Sequence, residues 1–505
     1  MFKKQGPGIA VGAAIVAAAL LLSGCAADTT PNEPAAQQLV YAPQKFPSTL
    51  NNHAFPAEES TQGVVDQVLD TLVTRNDDGE VAPRLALSWE NPDPLTWVFE
   101  LREDVVFSDG TPFTSTDVRK SIENHVAITS VLAPLLADVT DIDDSEPHRL
   151  VLTTNEPDGT ILATLSILYV GQGDAVSSED YWNKPVGTGP FVIDTYETDE
   201  RIVLTRNESY WGEPATLDTV TIRSIPEASA RIAALETGEV DMISNVAPDQ
   251  SSTVAAIDNV QMITTPSTFY YLNWFNNARE PFTDERVRQA LWHAADLETI
   301  IPALFGDAAV LARAPLSSVV FGAPELEPYT YDPELAKQLL ADAGYPNGFS
   351  TTMIWPNDAG INVDQLAQTL ISAWAEVGVE VEPISQERAQ WTADFNALDW
   401  DMSLFANSTA TGDAHYTLGR LYTCAANRLG FCDEEVDSKL VEARGAVDQD
   451  ERRVLYQDVS TILWERAVGM FISELTLNLA YEGHVTGVSL PPTGRIPFKD
   501  ISISD

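Results

Sequence analysis

Short stretches with alternating apolar residues, separated by capped and terminated helical stripes, recur from about Leu39 to the end of the chain, and no other feature limits the fold as much. Alternation of this kind defines an α/β chain. Trp97, Phe99 and Leu101 alternate with Val98, Glu100 and Arg102, as in a half-buried strand. Short strands are also expected at Leu39–Tyr41, Val105–Phe107, Val151–Thr153, Phe191–Ile193 and Val379–Val381. Val64, Val65, Val68, Leu69 and Leu72 predict a helix over 64–72. Thr114 with Asp117 three residues on marks a capped helix start. After Pro281, the residues Val287, Ala290, Leu291 and Ala294 form a second stripe. Asp332 followed by Pro333 starts a third, stopped by Gly344 and Pro346. Leu366, Leu370, Ile371 and Trp374 form a fourth, closed by Gly378. Such stripes are core-facing surfaces. No period of 20–50 residues recurs, which excludes solenoids and propellers.

The N-terminus reads as an address. Lys3 and Lys4 precede the apolar run Ile9–Leu22, which ends in Leu22-Ser23-Gly24-Cys25. A basic start, a short apolar run and small residues at its end make a secretory signal over 1–24. The run falls short of the ~20 residues that span a bilayer. The tetrad resembles a bacterial lipobox, in which the cysteine sulfur receives a diacylglyceryl group before cleavage. Cys25 is thus the expected lipidation site, and 25–38, without periodicity, a tether. Export would place Cys424 and Cys432 in an oxidising compartment. A disulfide between them would stabilise by about 2.5 kcal/mol; two free thiols or half a metal site are the alternatives, and no histidine stands at zinc spacing to favour the metal.

Acidic side chains outnumber basic ones 75 to 29, for a net charge of −46. Such a surface repels phosphates, so nucleic acid is not an expected partner. No P-loop and no Gly-x-Ser-x-Gly elbow occurs, and the six histidines are scattered without a metal-binding pair. Gly187-Thr188-Gly189 starts like a dinucleotide loop, but Pro190 and Val192 stand where the helix start and third glycine belong, so it is a turn into a strand. Nothing in the sequence nominates an enzyme, a cofactor or a metal.

Several blocks together resemble the extracytoplasmic solute-binding proteins of family 5, the peptide- and nickel-type receptors of ABC importers. They are Ala82-Pro83-Arg84-Leu85-Ala86 with Ser88-Trp89, Thr96 to Arg102, and Phe107 to Phe113 with Asp117-Val118. Further along come Pro185 to Phe191, Asn207 with Tyr210-Trp211-Gly212, Gly238 to Asp241, Pro281 to Ala290, and Tyr331-Asp332-Pro333 with Ala343 to Gly348. The matches run in family order from about residue 40 to 480. The blocks themselves are turns and caps that set backbone geometry.

The resemblance implies a two-lobed periplasmic-binding-protein-like clamshell of class II with an extra subdomain. Lobe I would take 39–80, 187–272 and 476–505, the extra subdomain 81–186, and lobe II 273–475. The hinge would lie near 270–274 and 473–478. Function by resemblance is capture of a peptide, or a similar-sized solute, outside the cell membrane and its delivery to ABC permease and ATPase subunits. The protein would be a monomer held to the membrane through its lipid, on the periplasmic side where an outer membrane exists. Receptors for nickel or a metal chelate, an opine or an oligosaccharide are the alternatives within the class, and a secreted hydrolase or a purely structural lipoprotein those outside it.

In peptide receptors of this family an acidic residue shortly before the cysteine loop grips the ligand's ammonium. Here that position falls nearest Ala410, and the next acid is Asp413. Asp413 is therefore either the replacement anchor or a turn and helix-cap residue. Phe405, Asn407, Trp274 and Trp391 are the expected companions lining the cleft.

Overall fold

The computed structural model describes residues 37–55, 58–76, 79–130 and 132–504. The expected signal, Cys25 and nearly all of the tether lie outside these residues.

A mixed sheet of eleven strands runs through the molecule. Along it lie Phe191–Glu197, Arg201–Arg206, Thr219–Arg223, Gln38–Ala42 and Met242–Ser244, then Gly469–Glu482 and Val260–Phe275, then Met402–Ser408, Phe349–Pro356 and Val379–Gln386. Ala309–Leu311 pairs with Gly469–Glu482 off this path. Order in the sheet departs widely from order in the chain, because helices and long loops carry parallel neighbours such as Gln38–Ala42 and Thr219–Arg223 across its faces.

Three large hydrophobic cores form around this frame. One draws on residues 270–472, with Trp374, Trp400 and Tyr456 fully buried. A second gathers Leu39, Leu50, Ile202, Leu204, Val220, Leu479 and Ile501. The third, with Trp97, Phe99 and Phe107 inside, is closed by the antiparallel sheet Ala86–Asp93, Thr96–Leu101, Arg149–Thr154, Val139–Glu146 and by the helix Ser115–Ala127. Each buried aromatic side chain contributes about 2–3 kcal/mol through the apolar area it removes from water. The cores interleave more finely than the expected segments. Leu72 and Val73 pack in the third core, while Tyr169, Val176 and Trp182 pack in the second.

Two strands, Val260–Phe275 and Gly469–Glu482, run between the first and second cores and pair antiparallel along most of their length. Their register slips between Pro266 and Tyr270, next to a proline that has no N–H to give the ladder, and again between Tyr271 and Leu272. At the first slip Ser267 Oγ donates to the Leu475 carbonyl at 2.7 Å.

Local expectations at caps hold closely. Thr114 and Asp117 form a reciprocal capping box on Ser115–Ala127. Asp332 accepts from the Leu335 N–H at the start of Pro333–Asp342, and Gly344 follows that helix with φ +97°. Two expectations fail. The helix near Val64 spans Glu59–Val65, and Val68, Leu69 and Leu72 are buried beyond it. The carbonyls of Gln67 and Val68 accept instead from Phe191 and Gly189, so the incoming 187–191 turn captures the backbone that a longer helix would use. Val105–Phe107 is no strand; only Val106 bridges to Pro112.

Candidate functional site

A cavity of about 540 Å³ opens between the first and second cores. One wall comes from residues flanking the first strand and first helix, including Tyr41, Lys45, Glu58 and Glu59, and from Gly494, Ile496 and Phe498 near the C-terminus. The facing wall comes from Phe269, Asp358–Gly360, Arg388, Phe405–Ser408, Tyr416 and Arg420. Pockets of this volume hold small organic ligands. Gly360 is needed for the shape: at φ +134°, a Cβ there would stand 2.3 Å from the Tyr271 hydroxyl, which donates to the Ile361 carbonyl.

Six charged side chains line the cavity. Lys45 lies 3.7 Å from Glu58, which also accepts from the hydroxyls of Ser48, Ser60 and Thr61. Arg388 pairs with Asp358 at 2.8 Å, and its guanidinium sits 5.4 Å from the centroid of the Phe405 ring. Arg420 donates to the Tyr416 hydroxyl at 3.1 Å and lies over that ring at 4.3 Å. Burial pushes the Glu59 carboxyl up to about 7, against the pull of Lys45.

Of the residues expected to line the cleft, Phe405 and Asn407 do face this cavity. The Asn407 amide donates to the Tyr270 hydroxyl at 2.7 Å. Trp274 and Trp391 stand behind Phe405 instead. Trp391 stacks on Phe405 at 4.6 Å and donates to Ser403 Oγ, and Trp274, 2% exposed, stacks at 5.9 Å. The strand Met402–Ser408 puts Ser403, Phe405 and Asn407 on one face, and the two tryptophans pack on that same face against Phe405, outside the cavity lining.

Asp413 is not on the cavity wall either; only 1% of it is exposed. It caps the helix Ala414–Leu421, accepting from the His415 N–H, and it accepts two hydrogen bonds from the buried Arg452, at 2.8 and 3.0 Å. Arg75 approaches at 3.6 Å and donates to the neighbouring Thr411 carbonyl. Burial opposes ionisation here, but Arg452 and Arg75 outweigh it and hold the carboxyl below the usual range. A carboxylate so engaged has no lone pair turned toward a ligand.

Sequence reasoning passed over Glu59, Arg388 and Arg420. Glu59 lies in a seven-residue helix and Arg420 in a helix's last turn, where a cation complements the dipole with or without a ligand. No local pattern separates them from surface charges. Cys424 and Cys432 are joined in a disulfide. Among the described residues no group of three or more His, Cys, Asp or Glu could hold a metal ion, and no helix is long and apolar enough to cross a membrane.

Away from the cavity lining, ion pairs join distant parts of the chain. Besides Arg75 on Asp413, Arg444 pairs with Asp138 and with Asp158, and the Gly159 N–H donates to the Arg444 carbonyl at 2.7 Å.

The molecule thus combines a mixed α/β frame, a charged cavity between two cores and two paired strands passing between them. Comparison with known proteins gives the family. The profile described as bacterial extracellular solute-binding proteins, family 5 Middle, matches residues 80–428. Heme-binding protein A of Haemophilus influenzae is 30% identical, over 97% of this chain and 98% of that one. The dipeptide-binding protein of Escherichia coli is 26% identical, over 93% and 95%. The structure of NikA from Brucella suis in complex with Fe(III)-EDTA covers 92% of this chain and all of its own, with a TM-score of 0.83 at 23% identity, a likeness of fold alone. The chain belongs to the bacterial extracellular solute-binding proteins of family 5.

Proposed function

We propose that this protein captures a peptide, or a solute of similar size, outside the cell membrane and delivers it to the permease of an ABC importer by closing two lobes around it. The observation that carries this reading is the cavity, whose walls come from two separately cored halves of the chain. A ligand filling it touches both halves and favours their approach, and a permease that recognises the closed form receives only loaded receptor. Water excluded from the closed cleft would strengthen the charged contacts inside. The relatives named for heme and dipeptide binding support solute capture without fixing the solute. The lobes of this reading are 39–80, 187–272 and 476–505 against 273–475, with 81–186 as the added subdomain. It also includes a lipid on Cys25 as the tie to the membrane, and a monomer as the working form.

A thermal-shift screen of the mature protein against peptides, opines, oligosaccharides and metal chelates tests it. One solute class should raise the melting temperature by several degrees and be recovered chemically unchanged. Turnover of the stabilising compound, or no stabilisation by any class, would refute the reading.

A further inference from the structure

The antiparallel sheet over the third core has an open side. Its strand Val139–Glu146 is last in the strand order and pairs with Arg149–Thr154 alone, so its other edge is unpaired among the described residues. At the strand's end the Asp144 and Glu146 carbonyls accept from the Ser115 hydroxyl at 3.3 and 2.7 Å, which leaves residues 139–143 as the free length. A groove of about 620 Å³ lies between this strand and the helix Ser115–Ala127. Ile122 and Val126 from the helix, Leu136, and Val139 and Ile142 from the strand make its lining largely apolar. Val126 is 49% exposed there. An open edge beside an apolar groove is the geometry by which sheets accept an added strand.

The edge also specifies which strand it suits. Its ladder is regular from Asp141 to Asp143, so Ile142 turns to one face and the two aspartates to the other. Ile142 packs on the third core, whereas both aspartates are exposed. The cations nearby are committed elsewhere. Arg119 holds Glu123 and Asp144 at 2.6 and 2.9 Å, and Arg149 reaches Glu100 and Glu146 at 3.6 and 3.8 Å. Asp141 and Asp143 form no ion pair among the described residues, which leaves the outer face of the edge negative.

We propose that residues 139–143 take up, as a fifth strand, an extended segment of a partner protein in which apolar residues alternate with lysine or arginine. Successive residues of an added strand face opposite ways, so one alternation serves both surfaces. Its apolar side chains enter the groove against Val126 and Ile142, and its cations stand beside Asp141 and Asp143. The same edge of a second copy would set acid against acid, which destabilises a strand pair. This surface is separate from the cavity between the first and second cores and does not depend on what that cavity binds.

The test titrates the mature protein, by fluorescence anisotropy at physiological ionic strength, with a labelled, end-blocked nonapeptide alternating valine and lysine. The controls are a peptide of the same composition with its lysines clustered at one end, one with glutamate for lysine, and one with every backbone nitrogen methylated. Each control should bind roughly tenfold or more weakly, through lost cross-strand pairs or a lost ladder. Val126→Glu, at an exposed position, should weaken the alternating peptide to the same degree at an unchanged melting temperature. Asp141→Lys combined with Asp143→Lys should reverse the preference in favour of the valine–glutamate peptide. Equal binding of alternating and clustered peptides would mean attraction to the acidic surface alone. Binding unaffected by both Val126→Glu and the charge reversal would place the peptide elsewhere. Either result overturns the proposal, as does no binding of the alternating peptide. Self-association of the wild type in sedimentation, abolished by Val126→Glu, would give the edge to a second copy and overturn it too.

Discussion

Asp413 shows how much the surroundings of one carboxylate decide. Next to an open cleft it would be a ligand anchor; enclosed by Arg452, Arg75 and the His415 N–H, it is a structural keystone. Asp413→Asn keeps the shape but removes the charge that balances a 1%-exposed arginine. Breaking a buried pair from one side costs about 3–5 kcal/mol. The variant should therefore unfold at markedly lower urea concentration, with ligand affinity of the remaining folded protein little changed. Wild-type stability combined with lost ligand binding would return Asp413 to the binding site. The sequence offered both roles, since Asp before a helix is a good cap and an acid before the cysteine loop resembles an anchor. Arg452, 39 positions away, decides between them, and no window of sequence connects the two.

At the scale of elements, the helix Ser115–Ala127 docks through an imidazole pair. His53 donates from Nε2 to the Tyr169 carbonyl at 2.9 Å and accepts at Nδ1 from the Asn124 amide, while its ring lies 4.2 Å from that of His125. That network uses the neutral tautomer, and a second proton on Nδ1 would face the amide donor. Burial pushes His53 down to about 4 and His125 well below its ordinary value. The unfolded chain, titrating near 6.5, binds these protons first, so stability is complete above about pH 6.5 and declines as the pH falls toward 4. His53 alone accounts for about 3 kcal/mol at the lower limit. Urea midpoints of wild type measured from pH 7 to 4 should fall more steeply than those of His53→Gln; parallel curves would dismiss the pair as a source of acid sensitivity.

Elements were also what the sequence disclosed best. The box at Thr114, the cap at Asp332 and the stop at Gly344 are local chemistry, and they start or end their helices as their residues dictate. The helix at Glu59–Val65 stops early because a turn more than a hundred residues away takes its carbonyls, which local propensity cannot foresee. The cavity was least legible, since Glu59, Arg420 and Gly494 meet only after the whole sheet has formed.

For the whole molecule, in the proposed closure the pairs of Arg444 with Asp138 and Asp158 would act as a clasp. Asp158 is 2% exposed and pairs with Arg444, and beside them the Gly159 backbone lies so close that a Cβ would stand 1.9 Å from the Ala446 carbonyl oxygen. Arg444→Gln should weaken the closed arrangement by about 2 kcal/mol, the value of a hydrogen bond to a charged group. That is roughly a 30-fold change in the ratio of open to closed molecules. Gly159→Ala should act in the same direction through the clash. Small-angle scattering of the unliganded protein should show a larger radius of gyration for both variants. A radius unchanged in both would mean that these contacts do not govern closure.

In the proposed closure, the two long strands between the cores would give the motion its character. They are hydrogen-bonded to each other on either side of the slip at Pro266–Tyr270, so the halves cannot swing on slack loops. Any opening has to flex a laminated ribbon, most easily where its lamination is already broken. A ribbon of this kind behaves as a leaf spring: it resists sideways shear, returns to one resting angle, and makes each excursion retrace the same arc.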